Sequence, residues 1–588
     1  MTRFSLALLS LLTTILSPPA VASDRTGGAH ELVGLWEATR RFGPDVGGTL
    51  TLERTPAGWT AEVGPHRLAA SVDGCWISFE VPGDRGSFRG CLETGGPIVG
   101  HWTQPRTRHG GLRAATPVVL ELVEARRWHG EVAPFDDRFT FYLVVEERDD
   151  GVAGAFLRNP ERNFGVFLNV DRLERDGEVV NLVGRWRRNE EERVLASGPY
   201  VPDLDVMTFR IRGASYDFRR VEDDAASGFY ARGSDPEPWA YRPPPQLDDG
   251  WAVGTLAEAG ISAVPLRKLI EREIDPLASS VHAPYVHAML IARRGKLVLE
   301  EYFHGFHRAL PHDTRSASKS AAAVLAGAAI EAGEPVALSM PVYETIYGAD
   351  TPDGLDPRAA RLTLEHLLTM SSGLDCDDRD PESPGNEDRL QSQSDNPDWY
   401  DYTLSLDMVR EPGEEAVYCS AGSNLVGSVL AVATGESLEW LFHRLLAMPL
   451  DVGRYHLYLQ PTGEPYMGGG IFWLPRDFMK IGQLILDGGT WRGRRVLGEA
   501  FAERATAPLY ELRERRYGYL WWVEDYPYRD GMVRAFYAGG NGGQVVIGVP
   551  ELDLLVAFFA GNYSDPVLYR IQNEFLPEYV LPAVDRGD

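Results

Sequence analysis

Ser316 and Lys319 stand three residues apart, immediately before an apolar run of small residues at 321–330. The run has high helix propensity, and the Ser- and Thr-rich residues before it are typical of a helix start. Side chains three apart share a helix face, so the amine can reach the hydroxyl. A serine becomes a nucleophile when a base takes its proton, and a lysine can be that base only where its surroundings lower its pKa. The spacing therefore predicts an activated serine, with free N–H groups at the helix start available to hold an oxyanion.

Lysine usage strengthens this interpretation. Of 58 basic residues only four are Lys, and only Lys319 has a Ser three residues before it. Arginine keeps its proton at any working pH, whereas a desolvated lysine can lose it. An isolated Ser-x-x-Lys match is equally compatible with a surface lysine on a helix. The motifs described below decide between an activated serine and such a surface lysine.

Length and charge limit the classes of protein that are possible. A chain of 588 residues with 44% hydrophobic content predicts two or three domains with ordinary cores. The net charge of −27 argues against nucleic acid or an anionic membrane surface as a partner. No stretch after residue 22 has the 18 or so uninterrupted apolar residues of a membrane helix, so no integral membrane segment is expected in the mature chain.

Residues 1–22 read as a signal peptide. Arg3 precedes an apolar core at 4–16, a Pro-Pro pair follows, and Ala20-Val21-Ala22 is a small-x-small cleavage site. A buried N-terminal helix is the alternative. The pattern predicts a secreted or periplasmic protein.

Four cysteines suit such an oxidising compartment. Cys75 and Cys91 flank a turn signal at 82–86 and can face each other across a hairpin. A second bridge between Cys376 and Cys419 is a hypothesis, with buried free thiols as its alternative. Metal-ligand spacing is absent among the four, and neither a metal nor a cofactor is expected.

The chain divides into two folded parts. Residues 23–232 alternate or run apolar in short segments separated by turns, which predicts an all-β domain, a barrel or a sandwich, without catalytic residues. Three Val-Gly-x-Trp sequences at 33–36, 99–102 and 183–186 suggest a decayed repeat or simply core tryptophans. Residues 233–261 are Pro-rich and polar, typical of a linker. Residues 262–588 carry strands at both ends, among them strands at 518–523, 533–537 and 544–549, and helices between them, which predicts one antiparallel sheet with a helical lobe.

Several motifs in 262–582 resemble the serine β-lactamase and penicillin-recognising superfamily. The similarity is to its class C-like branch, which includes family VIII esterases and 6-aminohexanoate-dimer hydrolases, and it implies a C-terminal α/β domain of β-lactamase/transpeptidase-like type. The motifs occur in the expected order: Ser316-x-x-Lys319, the Ser-Gly-Leu turn at 372–374, Tyr418-Cys419-Ser420, Met467 to Gly470, Tyr517 to Trp522, and Gly539 to Gln544.

The resemblance implies a two-step acyl transfer. Ser316 attacks the carbonyl, Lys319 with Tyr418 accepts the proton, and Tyr418 relays it to the leaving group. The oxyanion hole would combine the N–H of Ser316 with that of Gly540 or Asn541. A hydrogen-bonded core tyrosine is the alternative for Tyr418.

Two departures from the family pattern bear on the substrate. Ser420 replaces the usual Asn, which leaves a shorter hydrogen-bonding arm, and the strand at 537–540 lacks the Lys or His that holds a substrate carboxylate. The segment 375–401 carries ten acidic residues against two Arg. Such a rim repels anions, which favours a neutral or cationic substrate.

The sequence therefore predicts a secreted serine hydrolase that cleaves a small or peptide-like ester or amide. A β-lactamase or D,D-carboxypeptidase-like cell-wall peptidase is one alternative. The other is a non-catalytic binding protein whose first domain captures a ligand and whose hydrolase domain is degenerate. Aromatic residues that could line an acyl pocket or pack in the core are Trp399, Tyr400, Trp521 and Trp522.

Overall fold

A computed structural model describes residues 30–43, 46–92, 96–106, 113–186, 190–222, 228–275 and 284–585. The predicted signal peptide lies outside these residues. Sixteen strands occupy the described part of the N-terminal region: β1 (Gly34–Gly43), β2 (Gly48–Thr55), β3 (Gly58–Val63), β4 (His66–Asp73), β5 (Trp76–Glu80), β6 (Ser87–Leu92), β7 (Ile98–Gln104), β8 (Arg113–Glu124), β9 (Arg127–Val132), β10 (Asp137–Glu147), β11 (Ala153–Arg158), β12 (Asn169–Asp176), β13 (Val179–Arg185), β14 (Arg193–Val201), β15 (Val206–Ile211) and β16 (Ala214–Arg220).

These strands form two closed antiparallel barrels. Strands β2 to β9 pair in chain order, and β9 returns to β2. Strand β1 pairs with β10, strands β10 to β16 follow in order, and β16 closes on β1. The first ring, here called the inserted barrel, thus interrupts the second, here called the split barrel, between its first two strands. A closed ring has no edge strand, so every strand has a neighbour on both sides for its backbone N–H and C=O groups.

Each barrel has its own apolar core, so the single β domain predicted for 23–232 is two units. Trp102 is buried in the inserted barrel and Trp36 in the split barrel. Trp186, the third tryptophan of the repeated sequence, is 38% exposed. Cys75 and Cys91 form a disulfide bond within the inserted barrel, between β5 and β6.

The C-terminal part is a nine-stranded sheet with helices on it, ordered β17-β19-β18-β30-β29-β28-β27-β26-β25. Strands from both ends of this part meet where β18 pairs with β30. Its strands, together with β20 to β24 outside the sheet, are β17 (Ala252–Val253), β18 (Val286–Arg293), β19 (Lys296–Tyr302), β20 (His312–Asp313), β21 (Tyr455–Leu459), β22 (Ile471–Trp473), β23 (Thr490–Trp491), β24 (Arg494–Arg495), β25 (Tyr510–Leu512), β26 (Arg515–Tyr517), β27 (Trp522–Tyr528), β28 (Gly531–Gly540), β29 (Gln544–Val549) and β30 (Leu554–Ala560).

Helix α1 packs on β11 and β12 of the split barrel, and the other helices cover the nine-stranded sheet and build a lobe between β19 and β25. The described α-helices are α1 (Phe164–Phe167), α2 (Ala263–Leu269), α3 (Ser318–Glu331), α4 (Val342–Tyr347), α5 (Leu364–Leu368), α6 (Glu387–Ser392), α7 (Trp399–Leu404), α8 (Ser420–Thr434), α9 (Leu438–Phe442), α10 (Pro475–Leu486), α11 (Glu499–Ala505) and α12 (Leu581–Ala583). Helix α3 is buried over almost its whole length, which its small Ala and Gly residues permit because neighbouring elements can approach closely.

No single helix in the described ranges is both long enough and apolar enough to cross a membrane. Helices α8 and Leu438–Ala447 meet the length and composition criteria only as a pair, and they are bent by 93°.

The inserted barrel is joined to the C-terminal part by a shared sheet. Strand β8 pairs with β21 at Ala115 and Leu457, β21 pairs with β22, and β22 pairs with β20. Because β20 ends at Asp313, the barrel is hydrogen-bonded through three strands to the segment that precedes Ser316.

The Pro-rich segment 233–261 packs on the C-terminal part instead of forming a free spacer. Trp239 and Trp251 are buried, and the indole of Trp251 donates to the carbonyl of Arg476 at 3.0 Å. The Arg476 guanidinium in turn binds Asp249 and Glu300 at 2.9 and 2.6 Å. Aromatic anchors therefore outweigh the polar, Pro-rich composition that predicted a linker.

Candidate active site

The turn that carries Ser316 is fixed by buried hydroxyl groups. Residues 315–317 form a single 3₁₀ turn before helix α3. The hydroxyl of Thr314 bonds Ser318 Oγ at 2.6 Å and the carbonyl of Ile471 at 2.7 Å, and Ile471 N donates back to Ser318 Oγ at 3.2 Å. Arg315 has a positive φ of 49°, a conformation that a non-glycine residue adopts only where its surroundings hold it. Ser316 is thus presented at a constrained corner and remains partly exposed.

Lys319 reaches Ser316, as the spacing predicted. Its Nζ lies 2.9 Å from Ser316 Oγ and also donates to the carbonyl of Gly468. The side chain is 1% exposed. A buried amine on a serine hydroxyl can exchange a proton with it, which is the arrangement an activated serine requires.

Tyr418 borders the same amine. Lys319 Nζ lies 5.2 Å from the centre of the Tyr418 ring, which is stacked on Trp522 at 5.8 Å between ring centres. The Arg513 guanidinium covers the ring at 4.1 Å. Within the described ranges the phenol oxygen makes no hydrogen bond to Ser316 or Lys319. Tyr418 therefore lies beside the Ser316–Lys319 pair, and its ring makes the contact with the amine.

Ser420 does not have the substrate-binding position expected from the motif. It is fully buried at the start of α8, and its hydroxyl and N–H donate to Asp378 Oδ2 at 2.6 and 3.0 Å. Burial, and then the nearby Glu387 carboxylate, raise the pKa of Asp378, while Lys319 and Ser420 oppose the rise. The serine side chain is shorter than the usual asparagine, which leaves room for the Asp378 carboxylate. This carboxylate interacts electrostatically with Lys319.

A disulfide bond between Cys376 and Cys419 fixes the irregular segment that carries Tyr418 and leads into α8. Next to it, Asp378 N donates to the carbonyl of Tyr418 at 3.0 Å. The N–H of Gly422 donates to Cys419 Sγ at 3.0 Å and caps the start of α8. The bond thus ties the acidic segment to the Tyr418 motif.

Two glycines let backbone approach the Ser316 turn. A Cβ on Gly540 would lie 2.4 Å from the carbonyl oxygen of Thr314 and 3.0 Å from Ala317 N. A Cβ on Gly469 would lie 3.7 Å from Ser316 N. Asn541 is exposed beside the turn, and its Oδ1 accepts a bond from Ser564 N at 2.8 Å. The geometry brings the 540–541 backbone next to Ser316, where an oxyanion could be bound.

Ser316 opens into a cleft of about 740 Å³ that is lined by both parts of the chain. The barrels contribute aromatic and basic side chains: Arg106, Phe139, Arg162, Phe164, Phe167 and Arg212. The C-terminal part contributes the remainder, which includes Asp313, Arg315, Glu387, Asp388, Tyr458, Tyr466, Phe472, Asn541, Tyr563 and Ser564.

The aromatic residues suggested for an acyl pocket lie elsewhere. Trp399 and Trp521 are buried in the core, and Trp522 packs against Tyr418 and Tyr537. The aromatic cleft residues that take their place come from several distant segments. No local sequence signal distinguishes them, since their common position exists only after the barrels dock.

Asp378 was also missed, although it belongs to the acidic segment noted in the sequence. Nothing in the run 375–401 distinguishes one carboxylate from its nine neighbours. Across the described residues, no group of three or more His, Cys, Asp or Glu side chains is arranged to hold a metal ion.

Comparison with known proteins identifies the family. The Beta-lactamase family profile matches residues 281–574, which is half of the chain. A 6-aminohexanoate-dimer hydrolase from Paenarthrobacter ureafaciens is 26% identical over 280 residues, which cover 44% of this chain and 69% of that protein.

Solved structures are similar at lower identity. A simvastatin synthase mutant from Aspergillus terreus is 18% identical with a TM-score of 0.42, covering 58% of this chain and 100% of that one. A family VIII carboxylesterase is 16% identical with a TM-score of 0.40, covering 51% of this chain and 93% of that one. The profile match over half of the chain confirms the resemblance found in the motifs, and the chain therefore belongs to the beta-lactamase family of serine hydrolases.

Proposed function

We propose that this protein is an exported hydrolase that cleaves an ester or amide through an acyl-enzyme on Ser316. The observation that carries the proposal is the 2.9 Å contact between Ser316 Oγ and the Nζ of a fully enclosed lysine. The two disulfide bonds support an oxidising compartment, because such bonds persist outside the cytosol.

Acylation begins when the Lys319 amine accepts the hydroxyl proton of Ser316. The Oγ forms a bond to the substrate carbonyl carbon, and the carbonyl oxygen becomes an oxyanion held by the N–H of Ser316 and one from Gly540 or Asn541. The tetrahedral intermediate collapses, the bond to the alcohol or amine breaks, and that group takes the proton from Lys319, with Tyr418 as the relay.

Deacylation repeats these steps with water as the nucleophile. Water adds to the acyl carbon and gives a proton to the Lys319–Tyr418 pair, and Ser316 leaves as the alcohol when it regains a proton. The carboxylic acid is the product. No net charge or proton accumulates on the protein over the cycle.

The acidic residues of the cleft support a neutral or cationic group on one side of the substrate. Glu387 and Asp388 line the cleft from the acidic segment. The strand at 537–540 has no Lys or His to receive a carboxylate there. A carboxylate next to these residues would meet like charge without a partner, whereas an uncharged or positive group would not.

A fluorophosphonate probe tests the proposal directly. We expect stoichiometric labelling of the purified protein, with the label mapped to the peptide that contains Ser316. The Ser316→Ala protein should take no label and should lose hydrolysis of p-nitrophenyl butyrate. Ser564→Ala, which removes another hydroxyl from the same cleft, should retain both.

The outcomes separate the competing functions. Unchanged ester turnover in Ser316→Ala, or a label elsewhere, would refute the proposal. A folded protein that neither takes the label nor turns over esters would favour a ligand-binding role. Covalent labelling of Ser316 by fluorescent penicillin at a rate above that of ester turnover would favour a cell-wall peptidase or β-lactamase.

A further inference from the structure

The barrels supply one complete wall of the Ser316 cleft, here called the barrel wall: Arg106, Phe139, Arg162, Phe164, Phe167 and Arg212. Arg106 follows β7 of the inserted barrel, and the other five residues come from three separate segments of the split barrel. A remote accessory domain would leave the catalytic cleft to the hydrolase part alone. Here any substrate bound at Ser316 lies between the two parts.

The wall is attached to the site by direct contacts. The amide of Asn163, next to Phe164, donates to the carbonyl of Tyr563 at 2.8 Å and is nearly buried. Tyr563 lines the cleft, and the Arg315 guanidinium covers its ring at 5.0 Å. The barrel wall is therefore connected through two residues to the neighbour of the nucleophile.

Across the whole cleft lining four guanidinium groups stand against three carboxylates: Arg106, Arg162, Arg212 and Arg315 against Asp313, Glu387 and Asp388. Arg162 and Arg315 share one carboxylate, Asp313 Oδ2, at 3.7 and 3.0 Å. Within the described part of the chain no ion pair involves Arg106 or Arg212. Both side chains are exposed to the cleft, and the Arg212 guanidinium rests on the Phe164 ring at 4.4 Å. Two guanidinium groups are thus available to a ligand.

Aromatic rings adjoin these guanidinium groups. Phe164 stacks on Phe139 with 5.4 Å between ring centres, and Phe167 is 37% exposed. The rings offer an apolar surface, and guanidinium groups at its edge bind carboxylate or phosphate oxygens in pairs. The combination suits an apolar chain with an anionic end.

The geometry points to a selectivity subsite on the barrel wall that takes an apolar substrate chain ending in an anionic group, a carboxylate or a phosphate. This inference rests on the proposed function, since the subsite serves the bond cleaved at Ser316. It also revises the charge expected from the sequence, which considered only the acidic segment. Glu387 and Asp388, which line the same cleft from the acidic segment, keep the neutral or cationic group beside them.

Binding to the Ser316→Ala protein tests the subsite independently of catalysis. The probes are monomethyl hexanedioate, which carries a carboxylate end, methyl hexanoate, which is neutral, and hexyl phosphate. Calorimetry at low salt should show monomethyl hexanedioate or hexyl phosphate binding about tenfold more tightly than methyl hexanoate, because two guanidinium groups contribute. The tighter of the two anions identifies the end group.

Substitutions test whether the barrel wall causes the tighter binding of the anionic probes. Arg106→Gln combined with Arg212→Gln should remove the preference for the anionic probe, whereas Arg210→Gln, an exposed residue of β15 outside the cleft lining, should retain it. Phe167→Ala should weaken all three probes by a similar factor, about fivefold, because it removes apolar contact only.

The same variants separate this inference from the proposed function. The Arg106→Gln, Arg212→Gln protein should still take the fluorophosphonate label at Ser316, since neither residue touches the nucleophile, and Arg210→Gln should be labelled at the same rate as the unmodified protein. Equal binding of anionic and neutral probes to Ser316→Ala, or a preference that survives the double variant, would overturn the subsite even if labelling succeeds. Loss of labelling in the unmodified protein would instead count against the proposed function.

Discussion

The two walls of the Ser316 cleft are built differently. The hydrolase wall consists of enclosed hydroxyls, an enclosed lysine and Gly540, where an added carbon would lie 2.4 Å from the carbonyl oxygen of Thr314. In the barrel wall the longer side chains of Arg106, Phe167 and Arg212 remain exposed, while Phe139 is buried against Phe164. Bond cleavage requires fixed distances, whereas recognition of a chain end tolerates adjustment, so the family chemistry and its selectivity can vary separately.

Removing the amine should produce the largest effect on the hydrolase wall. Lys319→Met should lower kcat/KM for p-nitrophenyl butyrate by about a thousandfold or more, because a general base contributes on this order. Lys268→Met, on an exposed helix position, is the matched control and should be unchanged. A loss below about tenfold in a folded variant would show that another group accepts the proton.

Adding one carbon at Gly540 should be nearly as damaging. Gly540→Ala places its Cβ against the carbonyl of Thr314 and should lower kcat by about a hundredfold, the scale of a lost oxyanion donor. Gly531→Ala lies at the other end of the same strand and meets no atom within 4 Å. Steady-state kinetics should therefore leave Gly531→Ala active; equal activity of the two variants would contradict the close packing.

The two disulfide bonds should contribute similarly to stability but differ in their effect on activity. Replacing either pair by alanine should lower the free energy of unfolding by about 3 kcal/mol in denaturant titrations. Only the Cys376→Ala, Cys419→Ala protein should also lose esterase activity, since that bond holds the segment that carries Tyr418. If the Cys75→Ala, Cys91→Ala protein lost activity equally, the inserted barrel would have to act on the hydrolase wall itself.

Acid should weaken the junction between the inserted barrel and the C-terminal part. His101 bonds Tyr455 at 2.8 Å and His456 bonds Thr116 at 2.7 Å across it, and burial lowers the pKa of both imidazoles to about 3. The unfolded chain binds these protons near pH 6.5, while the native protein does not, so stability should fall as pH falls from about 6.5 to 4.

Replacing one of these imidazoles should flatten that dependence. His101→Gln should reduce the slope by up to about 1 kcal/mol per pH unit, measured by denaturant unfolding at each pH. The exposed His307→Gln is the control. An unchanged slope in His101→Gln would mean that carboxylates account for the acid response.

Local pattern was enough for much of the C-terminal fold. The predicted strand at 544–549 coincides with β29, and the strand predicted at 533–537 lies within β28. The strand predicted at 518–523 begins only at Trp522, because Leu520 adopts a left-handed turn with φ 56°. The number of barrels was not predictable, since closure depends on β9 returning to β2 and β16 to β1, pairings between strands far apart in sequence.

The amino-acid sequence alone determined that Ser316 and Lys319 would meet, because a three-residue spacing on a helix brings two side chains together whatever surrounds them. Tertiary structure decided the partner of Ser420, since Asp378 reaches it from a separate segment. Tertiary structure also decided which residues form the barrel wall of the cleft. Arg106 and Arg212 lie more than a hundred residues before Ser316, and only the docking of two closed barrels brings such distant side chains to one substrate.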